Sequence, residues 1–164
     1  MPGCLTDLYQ IPEGKHLHIY VDADACPVKQ EVIRVARRYD LAITFVSDKW
    51  LRIPDHAFLT LKVVNQGPDA ADDWIVDHVE RDDIVVSADI HLASRCLKKD
   101  AGAIAPNGRL FTDENIGMSV ATRDLLAGLR QSGEHTGGPA PFGKQDRSRF
   151  LHQLDQLIAR RLGN

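Results

Sequence analysis

The chain has 164 residues, 43% hydrophobic and 26% charged, with 20 Lys+Arg against 23 Asp+Glu and a net charge of −3. That length suits one domain with a full core, and the charge balance excludes a protein that coats duplex nucleic acid through a broad basic field. No apolar run reaches the roughly 18 residues a bilayer span needs, and residues 1–10 lack the pattern of a signal peptide, so a cytoplasmic protein is expected.

In chain order, residues 1–15 carry Pro2, Gly3, Pro12 and Gly14 and read as an N-terminal extension, with a single domain over 16–164. His16–Val21 is a predicted strand. Pro27 suits the first turn of a helix, and Val28, Val32, Val35, Ala36 and Tyr39 recur close to a helical period. Leu41–Val46 is a second strand, Lys49–Pro54 a connector and Leu59–Val64 a third strand. A turn at 65–68 precedes a helix over Asp69–Arg81. Ile84–Ser87 is short and wholly apolar before its serine, as in a buried parallel sheet. A helix follows to about Lys99, then a weak last strand at Ala101–Ala105 and a turn at 106–108. Thr112 and Asn115 approximate a capping box for a helix to about Arg130. Ser132–Gly143 is a Gly/Pro-rich loop, and Arg147–Leu162 a final amphipathic helix. Strands alternating with helices imply an α/β sandwich around a mostly parallel sheet.

Candidate chemistry sits where strands give way to helices. Val21-Asp22-Ala23-Asp24-Ala25-Cys26-Pro27 ends an apolar run in two carboxylates. In open α/β sheets ligands bind beyond the carboxyl ends of the strands. Asp69, Asp72 and Asp73 open the helix after the third strand, and Asp89 follows the fourth. A single aspartate at a helix start is commonly a cap. Three groups converging on one rim repel one another unless a cation or proton intervenes. An all-oxygen set favours Mg²⁺ or Mn²⁺ over Zn²⁺, and such ions assist phosphodiester hydrolysis. Arg52, Arg123 and Arg147 are candidates for phosphate contact.

Cys26 lies near a helix start and could serve as a nucleophile or redox thiol. Position 32 is Val, however, so no cysteine-based phosphate loop is present, and a small buried hydrophobe is the expected role. Cys96 is expected in the core. Thr136-Gly137-Gly138-Pro139 lacks the ending of a Walker loop. A strand ending in D-x-D also belongs to phosphatases of the haloacid-dehalogenase type, but Cys26 occupies their threonine position.

Six strings occur in order: V-D-A-D-A-C-P at 21–27, L-R-I-P at 51–54, G-P-D-A-A-D at 67–72, I-V-V-S-A-D-I-H-L-A at 84–93, P-N-G-R-L-F-T-D at 106–113 and T-G-G-P-A-P-F at 136–142. Together they resemble the bacterial YaiI/YqxD family, UPF0178 or DUF188, over about residues 17–160. The resemblance implies a PIN-like, Rossmann-like three-layer fold and, with it, a metal-dependent nuclease. By that resemblance Asp22 and Asp89 match the acidic positions after the strands and Asp69 or Asp72 the helix position. The expected metal set is Asp22, Asp72 and Asp89 for Mg²⁺ or Mn²⁺, with Asp24 or Asp69 to orient water or a second ion. Asp113 is a further candidate, and Asp73 stands where that family often has Asn. The expected partner is nucleic acid, most simply RNA. The rival expectations are a non-catalytic nucleic-acid or nucleotide-binding protein, a small-molecule phosphatase and a redox protein using Cys26.

Overall fold

Five parallel strands and one short antiparallel strand form the sheet of the computed structural model, which describes residues 17–65, 67, 69–117 and 142–163. The strands are β1 (His18–Asp22), β2 (Ala42–Ser47), β3 (Leu59–Val63), β4 (Ile84–Val86), β5 (Gly102–Ile104) and β6 (Leu110–Phe111). The helices are α1 (Lys29–Arg38), α2 (Ala70–His78), α3 (Ile90–Leu97) and α4 (Lys144–Arg161), with a 3-10 turn at Ala23–Ala25. The N-terminal extension, Arg123, most of the Gly/Pro loop and the greater part of the helix expected to Arg130 lie outside the described residues.

The strand order is β3-β2-β1-β4-β5-β6. Side chains alternate along each strand, so one sheet feeds two cores. Ile19, Val21, Phe45, Val86 and Ile104 pack with Val32 and Val35 of α1 and with Phe150, Leu154 and Ile158 of α4. Tyr20, Val46 and Val85 pack on the opposite face with Ile75 of α2 and Leu92 and Cys96 of α3. The result is a three-layer α/β sandwich of the Rossmann-like kind, as expected from the sequence.

Two expected elements differ. The helix expected over Asp69–Arg81 runs only over Ala70–His78. The Asp83 carboxylate takes the Glu80 N–H at 2.8 Å, and Asp82 is left-handed at φ 71, so the side chain captures a backbone group that a longer helix would use. The strand at 102–104 is not the last. After the turn at 106–108, β6 pairs back antiparallel, Ile104 opposite Leu110. Gly108 makes this turn at φ 90, and a Cβ there would lie 2.8 Å from the Arg149 carbonyl carbon. Glycine thus serves both the turn and the approach of α4. Thr112 and Asn115 do form a reciprocal cap: the Thr112 N–H donates to Asn115 Oδ1 at 2.9 Å, and the Asn115 N–H to Thr112 Oγ1 at 3.2 Å.

Candidate functional site

The strand order reverses between β1 and β4, and the crevice at such a switch point is where open α/β sheets bind ligands. Asp22 ends β1 there, half-buried. Its Oδ2 accepts the Ser87 hydroxyl at 3.1 Å. Ser87 Oγ in turn accepts the Asp89 N–H at 3.0 Å, so one serine ties together the ends of β1 and β4. Asp89 Oδ1 accepts the N–H groups of His91 at 2.8 Å and Leu92 at 3.2 Å. It caps α3 and stands beside Asp22 at once. A cleft of about 330 Å³ opens here, lined by Asp22, Cys26, Ser87, Ala88, Asp89, Ile90 and Pro106.

Asp72 reaches Asp89 from the first turn of α2. Burial, the Asp89 and Asp22 charges, a side-chain hydrogen bond with Asp89, and the Asp69 charge push its carboxyl up to about 6. All of these act in the same direction. Asp22 is also raised, first by burial and then, against the opposing Ser87 hydrogen bond, by the charges of Asp24 and Asp89. The three segments that carry Asp22, Asp72 and Asp89 therefore bring their carboxyls within electrostatic reach of one another.

The remaining candidates divide. Asp24 is exposed and accepts the Ser47 hydroxyl at 2.5 Å and the Asp48 N–H at 3.4 Å. It clamps the exit of β1 to the exit of β2. Asp69 precedes α2 with φ 69, exposed, and makes no side-chain cap of that helix. Asp73 is paired with Arg95 at 2.9 Å. Asp113 is exposed where a helix opens. Arg52 is exposed on the connector after β2. Arg147 donates to the Pro27 carbonyl at 2.7 Å and Glu31 Oε1 at 3.1 Å and lies 5.0 Å over the Phe142 ring, a set of contacts that docks α4 onto the start of α1. Cys26 is 6% exposed, and burial raises its thiol, so no stabilised thiolate supports the redox expectation. Cys96 is fully buried, its thiol pushed up to about 12 by burial.

Sequence reasoning missed the two serines. Their signal is a shared one: β2 ends F-V-S at Ser47, and β4 runs V-V into Ser87. Each hydroxyl meets one of the aspartates of the first acidic turn.

A family model described as "Uncharacterized BCR, YaiI/YqxD family" matches residues 20–160. UPF0178 protein RPA2191 of Rhodopseudomonas palustris (strain ATCC BAA-98 / CGA009) is 54% identical over 142 residues, 87% of this chain and 90% of that relative. The chain belongs to the YaiI/YqxD (UPF0178) family. A second member, from Nitrobacter winogradskyi, is 51% identical over 144 residues, covering 88% of this chain and 92% of its own. A third, BRADO3147 of Bradyrhizobium sp. (strain ORS 278), is 54% identical over 148 residues, 90% of each chain. No solved structure matches the chain. Among the described residues, no helix is long and apolar enough to cross a membrane.

The donor chemistry at the switch point fits a hard divalent cation: the cleft lining offers two carboxylates and a hydroxyl, no imidazole, and a Cys26 thiol that burial holds toward its neutral form. Among the described residues, no group of three or more His, Cys, Asp or Glu is gathered closely enough to hold a metal ion by itself. For Mg²⁺ this is no obstacle. That ion keeps several waters and is usually held by one or two carboxylates together with substrate phosphates.

Proposed function

We propose that this family member is a Mg²⁺- or Mn²⁺-dependent phosphodiesterase of PIN-like type that cleaves RNA. The observation that carries the reading is the meeting of Asp22, Asp72 and Asp89, from three separate segments, at the β1/β4 switch point. Each of these carboxyls is set against like charge, an arrangement that a cation relieves. Asp22, Asp72 and Asp89 would hold the ion together with its waters and a substrate phosphate, rather than as a closed set of three ligands. When bound, it would neutralise phosphate charge and favour attack by water.

The chain's own groups supply the rest. Ser87 fixes the Asp22 carboxylate through Oδ2 and the Asp89 backbone through its N–H. Asp24 keeps the β1 exit aligned with the β2 exit through Ser47. Asp69 adds negative charge beside Asp72 and is the residue assigned to orient water. Arg52, exposed on the connector that leaves the end of β2, is the residue assigned to meet a phosphate. With Asp72 titrating near 6, a cation must displace its proton below that pH, so cleavage rises as pH passes through about 6.

The test is cleavage of single-stranded and structured RNA by the purified chain with Mn²⁺. Activity is expected, removed by chelation and lowered at least about 100-fold by Asp22→Asn or Asp89→Asn. No cleavage of either RNA, or undiminished cleavage by both variants, would overturn the reading.

A further inference from the structure

The most exposed large apolar side chain among the described residues is Trp50, at 73%. A tryptophan this open calls for an explanation, because its ring contributes more to burial than almost any other side chain. The connector that carries it is not loose. Leu51 and Ile53 pack against the α1/α4 core, while Trp50 and Arg52 are exposed. The segment thus alternates like a strand laid on the core, and positions two apart share a face. Trp50 and Arg52 therefore share the outer surface of the connector, and Lys49, next in sequence, is exposed as well. Asp48 and Asp55 bracket the stretch and confine its positive charge to Lys49–Arg52.

The connector begins at the carboxyl end of the sheet, beside the exit of β1 that carries Asp22 and Asp24. Ser47, which ends β2, is held by Asp24 at 2.5 Å and accepts the Lys49 N–H at 3.2 Å. Trp50 is three residues further, at most about 10 Å of chain. An aromatic face with a guanidinium and an ammonium next to it is the chemistry that holds single-stranded nucleic acid: the base stacks on the ring and the phosphates pair with the cations. An exposed arginine alone would serve any anion. The adjoining indole selects an anion that carries a flat aromatic group.

We propose that Trp50, with Lys49 and Arg52, forms a stacking subsite for one base of single-stranded RNA and leads the strand to the carboxylate cleft. This deepens the function proposed above and rests on it for the choice of RNA. Trp50 is a specificity-determining residue that touches substrate away from the reacting phosphate.

The test measures binding without chemistry. A labelled single-stranded RNA 12-mer is titrated with the full chain in EDTA, followed by anisotropy, with quenching of indole fluorescence as a second signal. Trp50→Ala is expected to weaken binding about tenfold and Trp50→Phe much less, with Trp50→Phe removing most of the quench. Arg52→Ala should weaken binding and lower the salt slope by about one. The same length of duplex RNA, whose bases cannot stack on the ring, should bind more weakly than the single strand. Single-stranded DNA binding at least as tightly as RNA would overturn the choice of RNA. Binding by Trp50→Ala equal to wild type would overturn the subsite, as would Trp50→Ala acting only by dissociating a dimer of this chain, seen by sedimentation. Loss of RNA binding in Trp50→Ala alongside undiminished cleavage by Asp22→Asn and Asp89→Asn would overturn the catalytic reading and leave the subsite standing.

Discussion

The two ends of β1 and β4 treat aspartate in opposite ways. At the amino ends, Asp83 is 4% exposed and receives the His18 N–H at 2.9 Å and the Glu80 N–H at 2.8 Å. Burial raises its pKa, both backbone donors oppose that rise, and the Glu80 and Asp82 charges add smaller raising influences. At the carboxyl ends, Asp72 is raised by burial, by Asp89, by Asp22 and by Asp69, with no opposing influence. Asp83 is a completed structural joint. In the carboxyl-end cluster, by contrast, Asp22 and Asp89 have hydrogen-bond donors, while Asp72 is set against like charge without one that opposes its rise. Proteins commonly accept such strain where function requires it.

The comparison breaks most visibly through activity. Asp22→Asn and Asp89→Asn should abolish at least about 99% of RNA cleavage while leaving the chain folded, since Asn caps a helix about as well as Asp. Circular dichroism and a cleavage assay on the same preparations decide this. At the other end, Asp83→Ala leaves two backbone N–H groups without their acceptor and should cost about 3 kcal/mol by urea unfolding. Cleavage per folded molecule should stay at the wild-type level. If Asp83→Ala were mild and Asp22→Asn unfolded the chain, the two ends would have been assigned the wrong way round.

A smaller effect sharpens the contrast. The folded-state pKa of Asp72, about 6, lies above its ordinary 3.8. The folded state then holds this proton more tightly than the unfolded state. Its stabilising contribution is complete below pH 3.8 and is lost as pH rises through about 6. Asp72→Asn removes that loss. In EDTA at pH 8 the variant should be more stable than wild type by about 1 kcal/mol, a figure reduced from the full shift because solvent screens a partly open carboxyl. At pH 4 the difference should nearly vanish. A variant less stable than wild type at pH 8 would mean that Asp72 is held by favourable contacts.

How much of this was legible in the sequence depends on range. Strands and helices announced themselves through local periodicity, and the core positions Val32, Val35, Phe150, Leu154 and Ile158 lie on the expected faces. The two-residue β6 did not, because two residues carry no period. The end of α2 was hidden because its stop signal is a side-chain capture by Asp83, a local contest that composition does not reveal. At the rim, the sequence pointed to Asp22, Asp24, Asp69, Asp72, Asp73 and Asp89 alike, and the choice of Asp22, Asp72 and Asp89 among them came with the family resemblance. The sequence left unstated that Asp24 spends its carboxylate on Ser47 and Arg147 its guanidinium on Glu31. Those partners lie 23 and 116 residues away, and only the fold brings them together.

The central claim is that the carboxyl-end cluster is completed by a divalent cation. Electron paramagnetic resonance of Mn²⁺ titrated into the full chain at pH 7.5 tests it most directly. The account predicts one bound ion per chain, with weaker binding at pH 5 as Asp72 takes up its proton, and loss of the bound signal in the Asp22→Asn/Asp89→Asn double variant. Wild type that leaves all the Mn²⁺ free in solution, or a double variant that binds it as tightly as wild type, would contradict it.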